Sequence, residues 1–265
     1  MQISEYLARI GLSTSPPPTL AGLHLLQDHH MRHVAFENLD ILLGRPLNLS
    51  TGALFEKIVT RRRGGYCFEL NSLYASLLGE AGFKPVPMLA RVWLRDPVDT
   101  PPRTHLVNRV TIGGADWISD VGFGGRAARV PLQIKDGYEV DDGDGAIRII
   151  ADEIFGYRVQ RFQTGVWSNQ YTVETAPAHM SDILAGNHWT ENHPESHFRH
   201  GIGVGRFTPE GRTSFYGGVL THRGAETKMQ PVSGVANVTE LLEQSFGLKL
   251  NMSPEERARL ASFAG

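Results

Sequence analysis

Residues 61–71, RRRGGYCFELN, contain the only cysteine of the 265-residue chain, Cys67. Two glycines precede it and a patterned helix starts at it. Leu70, Leu73, Tyr74, Leu77, Leu78 and Ala81 recur at i, i+3, i+4, i+7, i+8 and i+11, which is one apolar stripe. Gly82 supplies the stop. Cys67 therefore falls in the first helical turn, where unpaired backbone N–H groups and the helix dipole favour negative charge on an accessible sulfur. A lone cysteine is ordinarily a small buried hydrophobe. Here the glycine approach and the helix start make it a candidate nucleophile.

Upstream of this stretch the chain reads as helical. Tyr6, Leu7 and Ile10 form a short amphipathic turn closed by Gly11, and Pro16-Pro17-Pro18 blocks helix before a periodic run from Leu20 to His33. Thr51–Val59 reads as a further short helix. Downstream, Pro85 and Pro87 mark a change to period two. MLARVWL (88–94), RTHLVNRVTI (103–112), ADWISDV (115–121), AIRII (146–150), YRVQRFQ (157–163) and QYTVET (170–175) are β-branched and aromatic-rich, with turn residues between them. The acidic run Asp141–Gly145 lacks the spacing and terminal Glu of a calcium loop and reads as a hairpin turn. A mixed end follows: a helix over Ala178–Asn187, strands in GIGVGRFT (201–208) and TSFYGGVLTH (213–222), and a helix over Asn237–Gly247 with Asn237 as its cap. A last helix is opened by the capping box Ser253-Pro254-Glu255-Glu256 and runs to Ala264. The expected class is α+β: a helical bundle over residues 1–85, an antiparallel β-barrel or sandwich over 86–177 and a mixed α/β part over 178–265.

The whole chain narrows the function classes. With 41% hydrophobic and 20% charged residues it has a soluble globular composition, and a net charge of -2 leaves no electrostatic footprint for nucleic acid. No apolar run is long enough to span a bilayer, and MQISEYLARIGL lacks a signal-peptide pattern. One cysteine permits neither an internal disulfide nor a thiolate zinc cluster. A cytoplasmic protein, monomer or homodimer, is expected.

A cysteine nucleophile needs a base and a group that orients the base. Among the 11 histidines, His105 lies in the second strand and Asp120 closes the third. Adjacent antiparallel strands bring such a pair to one rim. On these features alone the plainer readings, a strand histidine without a catalytic task and a turn-initiating aspartate, remain the default. His188, His193, His197 and His200 suggest a metal site, but spacings of five, four and three match no compact zinc motif and Pro194 interrupts any helix carrying them. A polar surface loop is the better account, and no metal is expected.

RRGGYCFELN, THLVNRV (104–110) and SDVGFGG (119–125), in this order, resemble the three signature segments of the arylamine N-acetyltransferases. HVAFENLDIL (33–42) resembles that family's preceding segment, and HPESHFR (193–199) a late one. The likeness covers nearly the whole chain, and its architecture of bundle, barrel and lid agrees with the pattern above. It implies a Cys67–His105–Asp120 triad and ping-pong transfer of an acetyl group from acetyl-CoA, as cosubstrate, to an arylamine, hydrazine or hydrazide. It further implies that Phe36, Tyr66, Val92 and Phe198 form the substrate pocket. The backbone N–H of Cys67 and a donor near Thr104 are expected at the oxyanion, and Gly122, Phe123 and Gly124 beside CoA. Arg63 and Glu37 are expected as a buried ion pair bracing the cysteine loop. Two other readings keep the triad: an amide synthase of the same family with another acyl donor, and a thiol hydrolase or transglutaminase-like enzyme.

Overall fold

The computed structural model describes residues 2–94 and 97–265; residue 1 of the expected bundle and residues 95 and 96 of the expected barrel lie outside it. The chain is an α+β protein. Its first part holds α1 (Ile3–Arg9), α2 (Leu20–His33), β1 (Phe36–Glu37), α3 (Leu39–Leu43), α4 (Thr51–Phe55) and α5 (Cys67–Glu80). Gly11 and Gly82 take left-handed φ values of 77° and 87° just beyond α1 and α5, as helix stops require. Thr19 caps α2 by accepting from the Gly22 N–H. The apolar stripe of α5 is buried against Tyr6, Leu23, Leu26, Leu54 and Ile58, each such side chain contributing about 1.5–3 kcal/mol relative to exposure. The helix expected over Thr51–Val59 changes character midway, because Glu56–Thr60 is a π-helical turn.

The second part holds β2 (Pro85–Val92), β3 (Arg103–Ile112), β4 (Ala115–Ser119), β5 (Leu132–Gln133), β6 (Tyr138–Asp141), β7 (Ala146–Asp152), β8 (Gly156–Gln163) and β9 (Val166–Val173). They form one antiparallel sheet in the order β5-β4-β3-β2-β9-β8-β7-β6, curled so that β5 nears β7. Pro85 and Pro87 are tolerated inside β2 because β9 pairs only with Ala90–Val92. Both faces of β3 are covered: Val107 points into the barrel core, while Leu106 and Val110 pack in the core around α5. Asp141–Gly145 forms the turn of the β6–β7 hairpin. The strands β5 and β6, of two and four residues, are too short to show alternation and do not stand out in the sequence.

The last part holds α6 (Met180–Asn192), β10 (Gly203–Thr208), β11 (Gly211–Tyr216), β12 (Val219–Arg223), β13 (Thr227–Pro231), α7 (Val235–Phe246) and α8 (Pro254–Ala261). TSFYGGVLTH is not one strand but a hairpin, turned at Gly217 and Gly218 with φ of 56° and 74°. Ser253 caps α8 as its capping box implies, with Oγ accepting from the Glu256 N–H at 3.3 Å. Asn237 does not cap α7; the helix starts after Gly234, and the Asn237 amide donates to the Ser233 carbonyl. The sheet order is β1-β10-β11-β12-β13, so its first edge strand comes from the N-terminal part. Leu39, Leu42 and Leu43 share a core with Phe215, Leu242 and Leu260. Residues of α3 and β1 therefore cross the boundary drawn between bundle and lid. Among the described residues no helix is long and apolar enough to cross a membrane.

Candidate active site

Cys67 is the first residue of α5, and its sulfur lies 3.5 Å from the Thr104 carbonyl oxygen. Thr104 is the extra residue of a bulge, since Ala90 pairs with His105 and Arg91 with Arg103. Such a kink aims backbone groups out of the ladder, and here it presents an acceptor, not a donor, to the sulfur. His105 follows, and its Nε2 donates to Asp120 Oδ2 at 2.7 Å. With Nε2 engaged, Nδ1 is the ring nitrogen left to hydrogen-bond the Cys67 sulfur. Cysteine, histidine and aspartate are 3%, 2% and 3% exposed. The sulfur is thus reached through a cleft and is less open than its helix position alone suggests.

Burial by itself would keep the imidazole neutral. The charge of Asp120 and its hydrogen bond outweigh that, with Cys67 adding, and push His105 up to about 10. The histidine is therefore an imidazolium at neutral pH, a proton carrier beside sulfur. Asp120 is held from three further sides. Asn71, one helical turn after Cys67, donates to Asp120 Oδ1 at 2.9 Å and to the Leu106 carbonyl at 2.7 Å, and accepts from the Val121 N–H. The Gly122 N–H donates to Oδ1 at 2.8 Å, and the buried Tyr171 also hydrogen-bonds the carboxylate. Tyr171 and Phe123 close around the imidazole with ring centroids 5.2 and 4.9 Å away. Sequence reading passed over Asn71 and Tyr171.

The cleft has a volume of about 430 Å³. Of the residues expected there, Phe36, Cys67, Val92, Thr104, His105, Gly122, Phe123 and Phe198 line it. Tyr66 does not: it is fully buried, stands edge-on behind Phe198 at 5.6 Å, and its hydroxyl donates to Asn187. Asp120 likewise stands behind His105. Gly122 is a glycine because a Cβ would come within 2.8 Å of the Cys67 Cα and 2.6 Å of the Asn71 amide, so it serves packing of the nucleophile as much as approach of a ligand. Gly124, with φ of 69°, packs against Phe36 and Tyr216. The opposite wall, unmarked in the sequence, is basic: Arg126, Arg212 and Arg223 reach it from the Gly124–Arg126 turn, β11 and β12. Burial and these neighbouring arginines push Arg212 down to about 10 although Asp144 pairs with it at 2.6 Å.

Beneath the nucleophile lies a buried ionic cluster. Arg63 reaches Glu37 Oε1 at 2.7 Å and Asp40 Oδ1 at 2.8 Å, which is the expected pair with a second carboxylate added. Gly64 and Gly65 let the loop lie against Ala35 and Glu37: a Cβ on Gly64 would meet the Ala35 carbonyl at 2.1 Å. The four late histidines stay apart. His193 stacks on Trp189, His200 contacts the Pro194 carbonyl and His197 lines the cleft. Among the described residues no three or more His, Cys, Asp and Glu side chains are grouped to hold a metal.

A sulfur beside an aspartate-held imidazolium, facing a cleft, is the equipment of a thiol-dependent group-transfer enzyme. A family model described as N-acetyltransferase matches residues 19–254. The arylamine N-acetyltransferase of Mycolicibacterium smegmatis is 36% identical over 259 residues, covering 94% of this chain and 93% of that protein. The arylamine N-acetyltransferase / N-hydroxyarylamine O-acetyltransferase of Salmonella typhimurium is 35% identical over 253 residues, covering 94% and 89%. The solved structure of the Mycobacterium marinum arylamine N-acetyltransferase in complex with CoA matches with a TM-score of 0.93 at 32% identity, over 100% of both chains. The chain belongs to the arylamine N-acetyltransferase family.

Proposed function

We propose that the protein transfers the acetyl group of acetyl-CoA to the nitrogen of an arylamine, arylhydrazine or hydrazide through an acetyl-Cys67 thioester. The single observation that carries this is the buried His105–Asp120 pair beside the only cysteine. In the first half-reaction the sulfur attacks the thioester carbonyl, and the oxyanion is met by the backbone N–H of Cys67. The C–S bond to CoA breaks, and His105 gives its proton to the leaving thiolate. In the second, the amine attacks the acetyl-cysteine, His105 takes the nitrogen's proton, and Cys67 leaves as thiolate. Asp120 holds the ring's tautomer and charge throughout. Phe36, Val92 and Phe198 give the aromatic acceptor an apolar wall, with Tyr66 as backing. Gly122, Phe123 and Gly124 border the donor's pantetheine arm, and the basic wall complements its phosphates.

The three parts, 1–85 with the nucleophile, 86–177 with His105 and Asp120, and 178–265 as lid, then act as donors of one site, residues of α3 and β1 being shared by the first and last. The protein works in the cytoplasm on small molecules. The test is to mix it with acetyl-CoA and map the adduct by peptide mass spectrometry while following CoA release with and without amine. Acetyl on Cys67 that persists until amine arrives supports the reading. Fast amine-independent CoA release would point to a hydrolase, and absence of acylation would remove the CoA donor.

A further inference from the structure

Glu69 shares the first turn of α5 with Cys67 and is as buried as the nucleophile. Its Oε2 accepts from the Tyr66 N–H at 3.2 Å, and its Oε1 accepts from Lys57 Nζ at 2.7 Å. Lys57 projects from the π-helical turn Glu56–Thr60, an insert of the kind frequent at functional positions. Gly65 is what lets Glu69 fold back, since a Cβ there would lie 2.9 Å from its carboxylate. One helix N-terminus thus serves two acidic side chains, the carboxyl of Glu69 and the thiol of Cys67. Each opposes the other unless one is compensated.

We infer that Lys57 and Glu69 are a positioning pair for Cys67: Glu69 fixes the first turn through the Tyr66 N–H, and Lys57 cancels its charge so that the helix N-terminus remains available to the sulfur. The pairing is specific. Asp40 also receives Lys57 at 2.7 Å, and Arg63 spans Asp40 and Glu37, so the cluster interlocks Lys57 and Arg63 with Glu37, Asp40 and Glu69. Burial alone would lower the ammonium, yet the charges of Glu69, Glu37 and Asp40 hold it well above the ordinary lysine range. Burial raises Glu69, and Lys57 opposes that rise. The sulfur's other charged neighbour, His105 with Asp120 behind it, stands outside this pair, while the phenol of Tyr66, which burial keeps neutral, lies beside both Cys67 and Glu69.

This role rests on Cys67 being the nucleophile, but it is tested without acetyl transfer, because Cys67 is the only thiol and iodoacetamide alkylation reads its ionisation directly. Glu69→Gln keeps an acceptor for the Tyr66 N–H and removes the negative charge beside the sulfur while Lys57 stays on Asp40, so the alkylation profile moves roughly half to one pH unit downward. Lys57→Met moves it upward by a similar amount, Lys57→Arg leaves it near wild type, and the double variant Lys57→Met/Glu69→Gln returns toward wild type. A purely structural brace would loosen the turn in both single variants and move both the same way. That outcome, or a Glu69→Gln profile that coincides with wild type, overturns the assignment. Should Lys57→Met fail to fold, the direction of the Glu69→Gln shift decides alone. Loss of acetyl-CoA acylation with the opposite shifts intact would instead count against the proposed donor.

Discussion

At the scale of residues, an ordinary thiol is about 3% thiolate at pH 7, so full ionisation raises the nucleophile's population only about 30-fold, and lower basicity reduces its intrinsic reactivity. Holding sulfur, imidazolium and thioester in line must do the larger share. Cys67→Ser should therefore lose the acetyl adduct in the mass spectrum even though its geometry is nearly kept, because a hydroxyl is not ionised by this imidazole. The histidine also couples charge to stability. Its folded value, about 10, lies above the unfolded value near 6.5, so its stabilisation is complete below about pH 6.5 and fades as pH rises toward 10. Melting temperatures across that window should fall in the wild type and fall less in Asp120→Asn, where the partner charge is gone. Cys67, His105 and Asp120 are legible in the sequence through their motifs. Asn71 was within reach, being one helical turn from Cys67. Tyr171 was not, since only the register that sets Val92 opposite it brings β9 beside the site.

At the scale of elements, α5 was readable nearly to the residue because stripe, start and stop agree. The neighbours that carry it were harder. The π-helical turn has no pattern of its own, and β1 is two residues long. The Gly-Gly approach is a tightly packed ledge, with the Gly65 carbonyl accepting from the Glu37 N–H at 2.8 Å. Gly122→Ala should therefore cut the acylation rate at least tenfold, since the new methyl must displace the Cys67 backbone or the Asn71 amide that holds Asp120; single-turnover CoA release measures it. Arg63→Ala leaves Glu37 and Asp40 without their guanidinium and should cost about 3–5 kcal/mol of stability. A denaturant melt unchanged from wild type would show that the cluster does not brace the loop.

At the scale of the whole molecule, the cleft is a seam whose walls come from distant parts of the chain. The acidic hairpin turn works as a clasp across it: Asp142 holds the fully buried Arg161 at 2.7 Å, and Asp144 holds Arg212 of β11. Neither clasp nor basic wall is visible in a sequence whose net charge is near zero, because both depend on which strands meet. Arg223→Glu should raise KM for acetyl-CoA several-fold, more at low salt than at high, while turnover of p-nitrophenyl acetate, which has no phosphates, stays within twofold.

The pairing of β1 with β10 bears on how the protein is made. Phe36 must wait for Gly205, about 170 residues later, and closing so long a loop is slow. During synthesis the wall beside Cys67 is therefore unfinished until the last third of the chain has emerged. A chain still on the ribosome carries its reactive thiol without the pocket that selects what the thiol meets, and chemical competence arrives at the end of folding.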